Sequence, residues 1–147
     1  MQSIFDEQTR QELYVRISRL QATDKAQWGK MNAWQMLRHC TLSEEMFLGM
    51  KSYKRLFAGR IFGGMALKSI LKNEAPLKKN QPTHPELKIN GNGDLEAEKQ
   101  KWLTLLEKYA DYNNPYFVHP FFGSMDAQQV GIYVYKHTDH HLRQFRK

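Results

Sequence analysis

Cysteine is almost missing from this chain of 147 residues. Cys40 stands alone, so no intrachain disulfide can form, which suits a reducing compartment. Long apolar runs are missing as well: none approaches the ~18 residues expected of a membrane span. The first ten residues lack the basic patch and apolar stretch of a secretory signal. These absences predict a cytoplasmic protein with no membrane contact. No internal repeat or low-complexity tract interrupts the chain, and strand signals are scarce. The best of them, Gly131 to Tyr135, continues a helical stripe instead of alternating. The length fits one domain, residues 1–147, which buries about two-thirds of its unfolded surface without a disulfide staple.

Acidic residues are sparse in one place. Residues 51–93 carry Lys51, Lys54, Arg55, Arg60, Lys68, Lys72, Lys78, Lys79 and Lys88 against only Glu74 and Glu86, so this segment alone holds the formal net charge of +7. The remainder balances. Such a segment attracts anions without specifying a site, and the plainer reading is a solvated basic connector.

Four stretches repeat apolar residues with helical period. The first spans 6–20 with Leu13, Ile17 and Leu20. The second spans 33–50 behind Asn32 and Gln35, which are spaced for a capping box. The third spans 95–111 behind Asp94, with Leu95, Trp102, Leu105, Leu106 and Tyr109. The fourth spans 126–145, opened by Ser124 or Asp126, with Val130, Val134, His137 and His141. A shorter helical pattern over 53–71 is interrupted by Gly59, Gly63 and Gly64. Pro76, Pro82, Pro85 and the Asn-Gly pairs of 90–93 then read as loop and turn. Four long helices with a long crossover between the second and third predict an all-α four-helix bundle.

Six histidines are present, and three lie within five residues: His137, His140 and His141. Helical positions i and i+4 share a face, so His137 and His141 aim at one point. Both fall on the buried stripe, where two uncompensated imidazoles are costly and a shared metal ion satisfies both. His39, on the apolar arc of the second helix, is the candidate third ligand, although taken alone it reads more readily as a hydrogen-bonded core histidine. His140 could replace His141, but the stripe favours His141. Thr138 stands where the zinc-protease motif has glutamate, which excludes that reading. His84 and His119 precede prolines and read as exposed loop residues. The loop of His119 leads into the fourth helix, which gives it a route to the site. Cys40 reads as a small buried filler. Glu44 and Asp139 are the carboxylates to suspect if the histidines do not suffice.

The segment Met31 to Cys40 resembles the second-helix segment of the DinB/YfiT-like metalloenzyme superfamily. His119 to Met125, followed by Tyr135 to Phe145 with its His-x-x-His-His-x-x-Gln pattern, resembles the C-terminal signature of one branch of that superfamily. The resemblance implies an up-down-down-up four-helix bundle with His39, His137 and His141 as ligands to nickel or zinc. It also implies relatives that act as low-molecular-weight-thiol-dependent S-transferases or as an isomerase. The basic segment 51–93 has no counterpart among the transferases.

Together these readings predict a divalent-metal-dependent enzyme, an S-transferase or a hydrolase. Three imidazoles leave an open position, where the pKa of a bound water or thiol falls. The expected partner is a small molecule, a thiol among the candidates, and a homodimer is a candidate assembly. Arg143 and Gln144 could orient ligand or substrate, with Arg143 facing solvent. The alternative is a non-catalytic helical module binding anions or nucleic acid through the basic segment. No groove-reading motif supports sequence-specific nucleic-acid binding.

Overall fold

The computed structural model describes residues 1–147 and contains five α-helices. In chain order they are α1 (Glu7–Ser18), α2 (Ala33–Phe47), α3 (Phe57–Ile70), α4 (Leu95–Glu107) and α5 (Ala127–Gln144). Short 3-10 turns cover Pro85–Leu87 and Lys108–Asp111, and β1 (Val118–His119) pairs antiparallel with β2 (Gly123–Ser124).

The helix starts follow the polar spacing of the sequence. Asn32 accepts from the Gln35 amide while the Gln35 side chain accepts from the Asn32 amide, a complete capping box for α2. Asp126 and Gln129 form the same box at α5. Asp94 caps α4 by accepting from the Ala97 amide. Helix α2 stops at Phe47, three residues earlier than its periodicity suggests. Gly49, at φ +77°, lets the chain close with Gly49 N–H to Met46 O and Met50 N–H to Glu45 O. That pair of bonds is the Schellman arrangement, which only a left-handed residue can complete. Helix α4 likewise stops at Glu107 and tightens into the 3-10 turn.

Helices α1 and α2 each pack on both α4 and α5. One apolar cluster joins them: Leu13 and Ile17 from α1, Met36, Leu37 and Cys40 from α2, Trp102 and Leu106 from α4, and Val130, Val134 and Leu142 from α5. Leu13, Ile17, Trp102, Leu106, Val130 and Val134 are stripe residues of the sequence. They are buried because 3.6-residue periodicity brings them to one side of each helix.

Helix α3 differs from expectation: its glycines do not interrupt it. Gly59 and Gly63 lie one turn apart and press against the hairpin. A Cβ on Gly63 would fall 2.0 Å from the Phe121 carbonyl oxygen, and one on Gly59 would fall 2.4 Å from it. The missing side chains permit close approach of helix to backbone, at an intrinsic cost of about 1 kcal/mol per glycine against alanine. Gly64 faces open space. The buried Lys136 amine of α5 donates to the carbonyls of Ile70, Asn73 and Ala75 and so ties down the end of α3. The hairpin has two residues in each strand and residues 120–122 as its turn. It is too short for a period-2 signal to exist.

Candidate metal centre

His39 comes from α2, and His137 and His141 come from successive turns of α5. One ring nitrogen from each lies within 4.8 Å of the others. His39 and His141 are buried, and His137 is partly so. The Nε2 atoms of His39 and His137 are 3.3 Å apart. Two imidazoles on one tetrahedral zinc, with Zn–N near 2.05 Å, would stand about 3.3 Å apart.

The outer faces of the rings are held. His39 Nδ1 lies 3.0 Å from the Leu87 carbonyl oxygen, to which it can only donate. His141 Nδ1 lies 2.9 Å from Gln144 Oε1. The Gln144 amide nitrogen donates to the Trp28 carbonyl at 2.8 Å, which fixes that amide's orientation and leaves Oε1 toward the histidine. In both rings the proton therefore sits on Nδ1, and Nε2 keeps its lone pair. Metal-binding histidines are typically arranged this way, with the outer N–H given to an oxygen and the inner nitrogen aimed at the ion. No protein group donates to His141 Nε2. The donor set and its second layer fit a divalent ion.

The electrostatics agree. Burial lowers the pKa of His39, and it holds His137 and His141 well below the ordinary histidine value, with mutual repulsion adding to the effect. All three rings are neutral near pH 7, the form a metal requires.

The rotation of α5 keeps His140 out of this cluster of three. Its ring meets the edge of Trp28 at 5.4 Å between centroids and stays outside the cluster. Asp139 is paired with Arg16 at 2.9 Å and with Arg143 at 2.7 Å. Glu44 is fully enclosed, accepting from Tyr109, from Trp102 Nε1 at 3.1 Å and from Thr138 at 3.3 Å. Burial raises its pKa to about 7 against these three donors. Neither carboxylate belongs to the cluster. A cleft of about 380 Å³ near Met50 and Tyr116 contains none of the histidines and plays no part in the site.

Two loop histidines depart from the exposed positions expected of them. The His84 side chain is 8% exposed and holds the connector, with Nε2 3.1 Å from the Lys54 carbonyl and Nδ1 accepting from the Glu86 amide. His119 stacks on Phe122 at 4.5 Å and meets Tyr133 edge-on at 5.8 Å between centroids. Tyr133 in turn stacks on His137 at 6.0 Å. His119 Nδ1 accepts from the amides of Phe121 and Phe122, so its proton is on Nε2. Burial lowers its pKa to about 3, and it stays neutral. Proline spacing predicts a turn, but it carries no information about what packs on that turn.

Leu87 lies in the basic connector and escaped sequence reasoning. Its carbonyl is a backbone atom, and no residue-type signal marks it. Gln144 was legible as a neighbour of the ligands, and it is buried. Arg143 is exposed, as expected.

The family model described as "Protein of unknown function (DUF1569)" matches residues 5–147, and the chain belongs to that family. No curated protein and no solved structure matches the chain.

Proposed function

We propose that this chain is a divalent-metal-dependent enzyme whose ion is held by Nε2 of His39, His137 and His141. One observation carries the reading: three neutral imidazoles converge, and two of them have their outer N–H given to the Leu87 carbonyl and to Gln144. A packing role for the histidines would need no such shared orientation of lone pairs. In this reading α1, α2, α4 and α5 form the up-down-down-up bundle of the DinB-like superfamily, with α3 and the connector as its long crossover.

When bound, a divalent ion with three imidazole ligands supplies Lewis acidity at an open position and lowers the pKa of a water or thiol there. The chain's own residues do the rest. Leu87 and Gln144 keep two rings in the binding tautomer. His137 stacks on Tyr133 and His119 meets Tyr133 edge-on, an aromatic wall in which the neutral His119 Nε2–H would serve as a donor to a polar group of the substrate. The reaction is an S-transfer from a low-molecular-weight thiol or a hydrolysis, the ion is nickel or zinc, and the partner is a small molecule.

The test is elemental analysis of untagged protein, followed by reloading with nickel and with zinc. One ion per chain is expected. Failure to bind either ion at sub-millimolar concentration would remove the site.

A further inference from the structure

Helix α3 has a second face that the metal centre does not use. Its inner face is narrow: Gly59, Gly63 and Leu67 are buried against the hairpin side of the molecule. The opposite arc presents Phe57, Ile61, Phe62 and Met65, which are 78%, 57%, 53% and 67% exposed. Phe57, Ile61 and Met65 follow at intervals of four and form one row, with Phe62 beside it. Four large apolar side chains on two turns of one helix make a contiguous patch of the kind that marks a binding surface, unlike single exposed residues.

The charges around the patch identify the occupant. Helix α3 has no acidic residue. Lys54, Arg60, Lys68 and Lys72 are exposed, and none of them takes part in a salt bridge. They belong to the segment that carries the whole net charge of the chain. A second copy docked face to face would set this segment against itself, and like charges would oppose the contact. An anionic surface with an apolar interior meets both features at once.

We infer that α3 lies on an anionic lipid surface, with Phe57, Ile61, Phe62 and Met65 entering the acyl boundary and the surrounding lysines and arginine meeting the headgroups. The sequence predicts no membrane contact because it lacks a spanning segment, and no helix is long and apolar enough to cross a membrane. Lying in the interface requires only an amphipathic helix with basic flanks. The glycine contacts hold α3 against the hairpin, so the face is presented without unfolding any other element.

The experiment is co-sedimentation of the full chain with vesicles of phosphatidylcholine alone and of phosphatidylcholine mixed with phosphatidylglycerol, at low and at molar salt. Light scattering gives the oligomeric state in parallel. The wild type is expected to bind the mixed vesicles and to leave them at high salt, with about a fivefold gain from each basic residue at the surface. The double variant Phe57→Ser/Met65→Ser changes exposed positions only, and circular dichroism verifies its fold. It should lose most binding at unchanged charge, and Lys68→Glu/Lys72→Glu should lose more. Equal binding to both vesicle types, or none, overturns the inference. So does binding untouched by the serine variant, which would mean charge attraction alone. A wild-type dimer that becomes monomeric in the serine variant also overturns it, since a second copy would then cover the face.

Discussion

Replacing Gln144 by leucine should weaken metal binding without touching a ligand. The side chain is 3% exposed and spans two groups, accepting from His141 Nδ1 at 2.9 Å and donating to the Trp28 carbonyl at 2.8 Å. Leucine is close to it in volume, so packing is largely kept. His141 Nδ1 then loses its partner in a buried setting, at about 1–3 kcal/mol when left unsatisfied, and the half-buried Trp28 carbonyl loses its donor. His141 also loses what selects its tautomer and its ring angle. Loss of such a partner typically costs 10–100-fold in metal affinity, about 1.4–2.7 kcal/mol. Gln144→Glu separates the two roles. A carboxylate still accepts from His141 and makes it a stronger base, but it cannot donate to the Trp28 carbonyl. It should keep the affinity and lose stability. The assay is competition for zinc and for nickel against a chromophoric chelator, using untagged proteins whose helical content matches the wild type. The reasoning fails if Gln144→Leu binds like the wild type, or if Gln144→Glu loses as much affinity as Gln144→Leu.

The same titration should show His137→Ala and His141→Ala losing most metal affinity while His140→Ala loses far less. A worst result for His140→Ala would place the ion elsewhere on α5. At α3, Gly63→Ala should destabilise the protein by about 1–3 kcal/mol in chemical denaturation, because its Cβ meets the Phe121 carbonyl. Gly64→Ala, in open space on the same helix, should be neutral or stabilise by about 0.4–1 kcal/mol. Equal effects at the two positions would contradict the close approach to the hairpin. Glu44, raised from 4.5 to about 7, keeps its proton in the folded state where the unfolded chain has lost it. Its contribution is therefore present below pH 4.5 and is lost as pH rises through about 7. His119, lowered from 6.5 to about 3, acts in the other direction: its contribution is present above pH 6.5 and is lost as pH falls through about 3. Subtracting the denaturation profile of Glu44→Gln from that of the wild type cancels the histidines. The difference should decline from pH 4.5 to 7, and a flat difference would show that Glu44 ionises normally.

Local chemistry made much of this protein legible from its sequence. The capping box at Asn32 and the Asp94 cap set helix starts through contacts only three residues apart, and of the two starts the sequence leaves open for α5, Ser124 and Asp126, the structure takes Asp126. The stripes through Leu13, Trp102 and Val130 set the buried sides, because helix period depends on the chain alone. The pairing of His137 with His141 follows from the same period. What the sequence left open depends on groups distant along the chain. The Leu87 carbonyl finds His39 across 48 positions, and the Trp28 carbonyl finds Gln144 across 116, both as backbone atoms that no side-chain pattern marks. The glycines of α3 look like breaks until the Phe121 backbone arrives against them. His119 and His84 look exposed until aromatic neighbours and the Lys54 carbonyl enclose them. Periodicity and capping specify which face of each element is buried. Only packing decides which atoms meet there, because those contacts join segments whose separation along the chain carries no local signal.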